Sequence, residues 1–387
     1  MKLCHIIALG AVATLGLVGG AVAADLPKAT QAILAKGNFD ASVLAGLDGE
    51  LTVPADWLAQ AANEPELKVL ASWDPSQFRD FAAPFRERYP QLKVQYNRGG
   101  TYDRGIKTIV AYNDGRYIAD VLGSTSNAWI KLKEMGGLTD LSDLPNYKVL
   151  ADGRHDPDGK WVGQKLAFRC IAHNTDKIKT ADLPKTWDDL TTNPVWRNGT
   201  LAMPDVPDVW VAMLWQAKGP QWTADFLTRL FKEVKPQLRK EGTSAGVGLT
   251  AAGETPAFIG AADYRVMQSA KKGAPISWHC PEPVPAAISQ LMVLKGSPAP
   301  YRARIFLNWF LSREGQVAQY VTDYSTPVHK DLEHDPRFLP YPDEIIGKEI
   351  ALRDEVRMQT LYDQMMEVYV PLWTGAGGAP RAKEKEE

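Results

Sequence analysis

The side chains that could do chemistry fall in a few short stretches. Gly242-Thr243-Ser244-Ala245-Gly246 has the G-x-S-x-G spacing of a nucleophile elbow, and Asp263 and His279 follow it in the order used by hydrolases of that design. Such an elbow needs an apolar strand running into its serine, whereas residues 235–241 read KPQLRKE. The alternative is a glycine-rich loop and helix start that faces a ligand. Arg169, Cys170 and His173 lie within GQKLAFRCIAHNT (163–175), a strand pattern. Strand side chains alternate, so Arg169 points away from Cys170. A guanidinium fork suits a carboxylate or a phosphate, with a surface ion pair as its competing use. His279 adjoins Cys280, as a ligand pair or as a satisfied, partly buried histidine. The chain has no HExxH, no Cys-x-x-Cys, no P-loop and no GxGxxG after a strand.

The elements that must position these groups begin at residue 67. LKVLASW (67–73) is an apolar strand pattern, and DPSQFRDFAAPFRERYP (74–90) sets Phe78, Phe81 and Phe85 on one helix face. QLKVQYN (91–97) alternates, residues 104–115 read as a helix, and ADVLGSTS (119–126) closes a strand–helix–strand–helix–strand unit. Such units form parallel sheets with right-handed crossovers and bind ligands beyond the strand carboxyl ends. Those ends hold Trp73 and Asp74, Gly99-Gly100-Thr101, and Gly123-Ser124-Thr125-Ser126. A second series follows. GTLAMPD (199–205) is a strand ending at Asp205, residues 208–219 and 221–234 are helical, and 257–273 is strand then helix. Residues 274–280 and 285–296 are further strands, 297–323 a helix pair, and a helix runs from about Lys348 to Tyr369.

Residues 1–23 carry one early lysine, an apolar run from Ile6 to Val18, and small residues at Ala21 and Ala23. That is the pattern of a cleaved secretory signal, too short in its apolar run for a membrane span. Cys4 precedes the apolar run and is not a lipoprotein cysteine. The net charge of −2 is evenly mixed, which argues against nucleic acid or an anionic membrane as partner. The 12 tryptophans, among them Trp73, Trp210 and Trp278, serve cores more often than ligand walls. Residues 374–387 are Gly-rich, then charged, as in disordered tails.

The 67–126 unit resembles the start of bacterial extracellular solute-binding proteins, the family of periplasmic ABC-transporter receptors for ferric ion and polyamines. PADWLAQAANEPE ahead of it, GGLTDLSDLP (136–145), TWDDLTTNPVWRNGTLAMPD (186–205) and RIFLNWFLSREGQ (304–316) follow the family's order. The resemblance spans roughly residues 54 to 330. It implies a two-lobed α/β fold, each lobe a mostly parallel sheet flanked by helices, joined by crossover strands. Lobe 1 would hold 67–168 and 285–330, and lobe 2 would hold 169–284. Residues 24–66 would form an N-terminal extension, and 331–373 a C-terminal helical segment.

The resemblance also implies a role: a periplasmic receptor without turnover or cofactor, monomeric, that closes on a small polar or anionic solute and delivers it to an inner-membrane permease. Trp73, Asp74, Thr101, Ser124, Thr125, Arg169, Asp205, Ser244, Asp263 and Tyr264 are the expected ligand contacts. Ferric receptors of the family place two adjacent tyrosines at a second-lobe helix start, where this chain has Asp263-Tyr264. A ferric alternative would therefore rest on Asp74, Asp263 and Tyr264. A secreted serine hydrolase using Ser244 is a further alternative. The two mature cysteines, Cys170 and Cys280, are expected to pair; two free thiols or a soft-metal site with His279 are the other readings.

Overall fold

The computed structural model describes residues 26–379. The signal stretch 1–23 and tail residues 380–387 lie outside the described residues. Strands β1 (Leu67–Ala71), β2 (Val94–Arg98) and β3 (Val121–Gly123) pair in parallel in the order β2-β1-β3. Phe78, Phe81 and Phe85 are buried together as their spacing predicts. The expected helix 104–115 is broken at Gly105 into Thr101–Arg104 and Ile106–Asn113. The strand expected over 119–126 is only three residues long, because Ser124 and Ser126 turn the chain with positive φ.

One strand organises the rest. β4 (Val162–Asn174) is 13 residues long, roughly 40 Å at 3.3 Å per residue. Its first half, through Phe168, pairs antiparallel with β9 (Val284–Val293), which continues to β3. From Arg169 onward it pairs with β7 (Ala257–Ala262) and β8 (Ile276–His279). β7 in turn pairs in parallel with β5 (Leu201–Pro204), and β5 with β6 (Gln237–Arg239). β4 therefore belongs to two sheet bodies and changes partner between Phe168 and Arg169. Each of its residues is buried except Arg169.

The first body is sealed by the helices Pro300–Leu311 and Arg313–Asp323, against which the N-terminal helices Lys28–Gly37 and Ala55–Ala62 pack. Glu314 is the polar centre of that contact, bonded to Arg88, Thr30 and the Trp309 indole. Among the described residues no helix is long and apolar enough to cross a membrane.

The C-terminal segment departs from expectation. In place of a helix over 348–369, Ile350–Leu352 forms β10, parallel to β9, and the helix spans Glu355–Gly375. The free edge of β9 takes up the short apolar run. Asp354 then sets the helix start, its carboxylate accepting from the N–H groups of Val356 and Arg357. The helix also enters the stretch expected to be tail.

Register explains the cysteines. Ile171 lies opposite His279, which places Cys170 against Cys280; the two are disulfide-bonded, with Cα atoms 5.3 Å apart. In the chain-entropy account a loop of this size is worth up to ~4.7 kcal/mol. Thiol titration of the denatured, unreduced mature protein is expected to find no free sulfhydryl, whereas two would show the bond absent from the native protein.

Candidate functional site

A cleft of about 610 Å³ opens between the two bodies, within the size range of small-molecule sites. Its floor is β4 and β9. Lys165 and Arg169 are four apart on β4 and so share a face, with small Ala167 between them. Ala287 and Ser289 of β9 continue the floor. The first wall is built from strand carboxyl ends: Ser72 after β1, Arg98 through Thr101 at the end of β2, and Ser124 and Ser126 after β3. The facing wall follows the same rule, with Asp208 after β5, Thr243 and Ser244 after β6, and Tyr264 and Arg265 after β7. Arg353 and Glu355 of the C-terminal segment complete the rim.

The lining is strongly cationic: Arg98, Arg104, Lys165, Arg169, Arg265 and Arg353 face only Asp208 and Glu355. Most of these cations are committed. Asp74 binds Arg98 at 2.9 Å and Arg265 at 3.3 Å from behind the lining. Arg104 donates to the carbonyls of Gly99, Gly123 and Ser124, holding the β2 and β3 ends in shape. Arg353 ties three segments together, donating to Asn127 at 2.6 Å and to the Asp208 carbonyl while pairing with Glu355 at 3.1 Å. Burial raises the Glu355 pKa, partly opposed by Arg353. Two cations keep free hydrogen-bond capacity. Lys165, only 5% exposed, has no hydrogen-bond acceptor among the described residues; Asp323 is 3.7 Å away. Arg169 has neither an ion pair nor a hydrogen-bonded acceptor for its guanidinium among them.

Tyr264 reports the resulting potential. Its ring lies 3.9 Å from the Lys165 ammonium and 5.4 Å from the Arg265 guanidinium. Burial pushes its phenol up, but Lys165, Arg169 and Arg265 outweigh that and bring it down to about 8. Asp263, directly before it, is fully buried; burial raises its carboxyl to about 7 against bonds from the N–H groups of Tyr264 and Phe168.

Of the residues expected to contact ligand, Thr101, Ser124, Arg169, Ser244 and Tyr264 line the cleft. Ser124 also donates to Gln164 at 2.8 Å. The others do not line it. Trp73 is enclosed by Phe78, Phe81, Tyr96 and Phe310, with its indole N–H on Gln319. Thr125 points into the core, and Asp205 is held at the β5 end by its N–H to the Arg239 carbonyl. Asp74 backs two arginines, and Asp263 lies beneath the floor. Of the trio Asp74, Asp263 and Tyr264 only Tyr264 lines the cleft, and among the described residues no group of three or more His, Cys, Asp or Glu side chains is placed to hold a metal ion. Ser244, Asp263 and His279 do not form a triad either: both His279 ring nitrogens are engaged, by Glu344 and by the Pro184 carbonyl.

Lys165 was legible in the alternation that placed Arg169, and Arg265 adjoins Tyr264. Nothing in the sequence signalled Arg353 and Glu355, which reach the cleft only because β10 joins β9.

A polar cleft floored by two crossover strands and walled by the strand ends of two α/β bodies defines a two-lobed ligand receptor. The chain belongs to the bacterial extracellular solute-binding protein family, whose model matches residues 71–317. Proteins of this kind bind small ligands for ABC importers and deliver them to a permease. Iron-bound HitA from Pseudomonas aeruginosa is similar in structure, with a TM-score of 0.62 and 22% identity over 78% of this chain and 99% of that one. AfuA from Actinobacillus pleuropneumoniae, with fructose-6-phosphate bound, gives 0.59 and 20% over 78% and 98%. The Trichodesmium protein IdiA (FutA), in complex with iron and citrate, gives 0.63 and 16% over 81% and 100%. No curated protein is a significant match in sequence.

The Tyr264 environment makes a titration prediction. Ultraviolet titration is expected to show one tyrosine ionising near pH 8, absent in Tyr264→Phe. A phenolate in the cleft repels an anion, so anion affinity is expected to fall as pH rises through about 8 in the wild type and to stay flat in the variant. A first tyrosine ionisation at pH 10 would contradict this electrostatic picture.

Proposed function

We propose that the protein is a periplasmic receptor of an ABC importer that captures a small organic anion between its lobes and passes it to the inner-membrane permease. The lobes are 67–168 with 285–330, and 169–284; the receptor acts as a monomer, without turnover, after loss of residues 1–23. Arg169 carries the reading. It is the one residue of the buried β4 that is not buried, it stands where the strand passes from one sheet body to the other, and its guanidinium has no acceptor among the described residues. A charged donor at the base of a cleft gains most from a partner that arrives with the solute. AfuA, similar in fold, was solved with an organic phosphate; HitA and FutA were solved with iron.

Arg169→Ala is expected to weaken binding of the solute at least ~30-fold, since removing one partner of a desolvated charge pair costs about 2–5 kcal/mol and 1.4 kcal/mol is tenfold. The melting temperature without ligand should change little. The solute is found first by a thermal-shift screen of organic acids, phosphate esters, sugars, amines and Fe(III), and the variant is then titrated calorimetrically. Affinity unchanged in the variant would make Arg169 structural, and stabilisation by Fe(III) alone would move the reading to ferric transport.

A further inference from the structure

Building on the anion-receptor reading, we infer that the solute carries a compact dianionic head, a phosphate monoester or phosphonate group, seated against Lys165, Arg169 and the first turn of the helix Thr243–Ala251. Three observations point to one doubly charged group.

The first is the number of donors left without a hydrogen-bond acceptor. Lys165 is nine-tenths buried, lines the cleft and has no acceptor at hydrogen-bond distance, and Arg169 on the same strand face has none either. An ammonium and a guanidinium together offer up to eight N–H donors, more than one monocarboxylate can use. The second is charge. Six cations line the cleft, and the carboxylates that pair with them are four: Asp74, Asp208, Asp323 and Glu355. Asp263, below the floor, also faces Lys165 and Arg169, but burial holds it near half-ionised at neutrality. A positive excess remains, and a dianion offsets it better than a single charge.

The third is convergence. Arg169 pairs across the sheet with Ala262, two residues before Tyr264, while Lys165 lies over the Tyr264 ring. Lys165 and Arg169 both act electrostatically on the Tyr264 phenol, so a single anionic group beside that ring lies in the field of both. The facing helix Thr243–Ala251 follows Gly242, which has no side chain to cap it, and its first turn carries no acidic residue. Thr243 and Ser244, in that first turn, line the cleft. Uncapped helix starts favour anions. The G-x-S-x-G stretch thus acts as an oxyanion seat, and Ser244 as a donor.

The test is calorimetric titration of the mature protein at about pH 7.5 with glycerol 3-phosphate, orthophosphate, D-glycerate and succinate. Glycerol 3-phosphate is expected to bind at least ~10-fold tighter than either carboxylate. Lys165→Met and Arg169→Gln should each weaken it ~30-fold, the size of a lost partner at a desolvated charge. Should a variant fail to fold, the wild type decides alone. Its affinity for glycerol 3-phosphate should fall as the pH drops through about 6, where a phosphate monoester loses its second charge. Protonation of Asp263 over the same range would strengthen anion binding and so cannot mimic that loss. Succinate or glycerate binding as tightly as the phosphates would overturn the dianion inference and leave the anion receptor standing. Failure of all four anions beside stoichiometric Fe(III) binding would overturn both.

Discussion

β4 is shared by two sheets, and the rest of the molecule follows from that sharing. A strand that pairs with β9 in its first half and with β7 and β8 in its second cannot be covered evenly, because the two sheet bodies turn away from each other where the partner changes. At that point one side chain must face the gap, and it is Arg169. The rest of the strand is buried, including Lys165, which lines the same cleft. The disulfide from Cys170 to Cys280 lies one residue further on and on the opposite face, fastening the strand to the residue that follows β8.

The electrostatics of the cleft depend on what stands behind its lining. Asp74 neutralises Arg98 and Arg265 from outside, and carbonyls at the ends of β2 and β3 absorb Arg104. These cations shape the site without leaving it hungry for a partner. Lys165 has only its 3.7 Å ion pair with Asp323, and Arg169 has no partner among the described residues, so positive charge is least offset at the floor. The C-terminal segment adds a further constraint. β10 widens the floor on the far edge of β9, and Arg353 bridges Asn127 on one side to Asp208 on the other. Residues beyond the family match therefore contribute directly to the site's shape and charge.

Much of this was legible from residue patterns. The alternation in 163–175 separated Arg169 from Cys170, and the phenylalanine spacing in 74–90 found a core face, although that segment folds as two helices, Pro75–Phe81 and Ala83–Arg88, in place of one. The strand-end rule found Thr101 and Ser124. It failed at Thr125, where a turn with positive φ at Ser124 precedes a buried side chain, and at Trp73, which the aromatic cluster of Phe78, Phe81, Tyr96 and Phe310 encloses. Asp263 was misplaced for a similar reason: it precedes the helix that carries Tyr264, but its side chain turns back to the N–H of Phe168. Arg353 and Glu355 were out of reach of local reasoning. Their part in the cleft depends on a parallel pairing with a strand some 65 residues earlier, which no periodicity encodes.

The most direct test of the account is to isolate the mature protein from the periplasm, verify its load by native mass spectrometry, and identify the species released by acid. An organic anion at one per chain, missing from Arg169→Ala prepared in the same way, is the result the account predicts. Stoichiometric ferric iron or a polyamine in the wild-type cleft would contradict it.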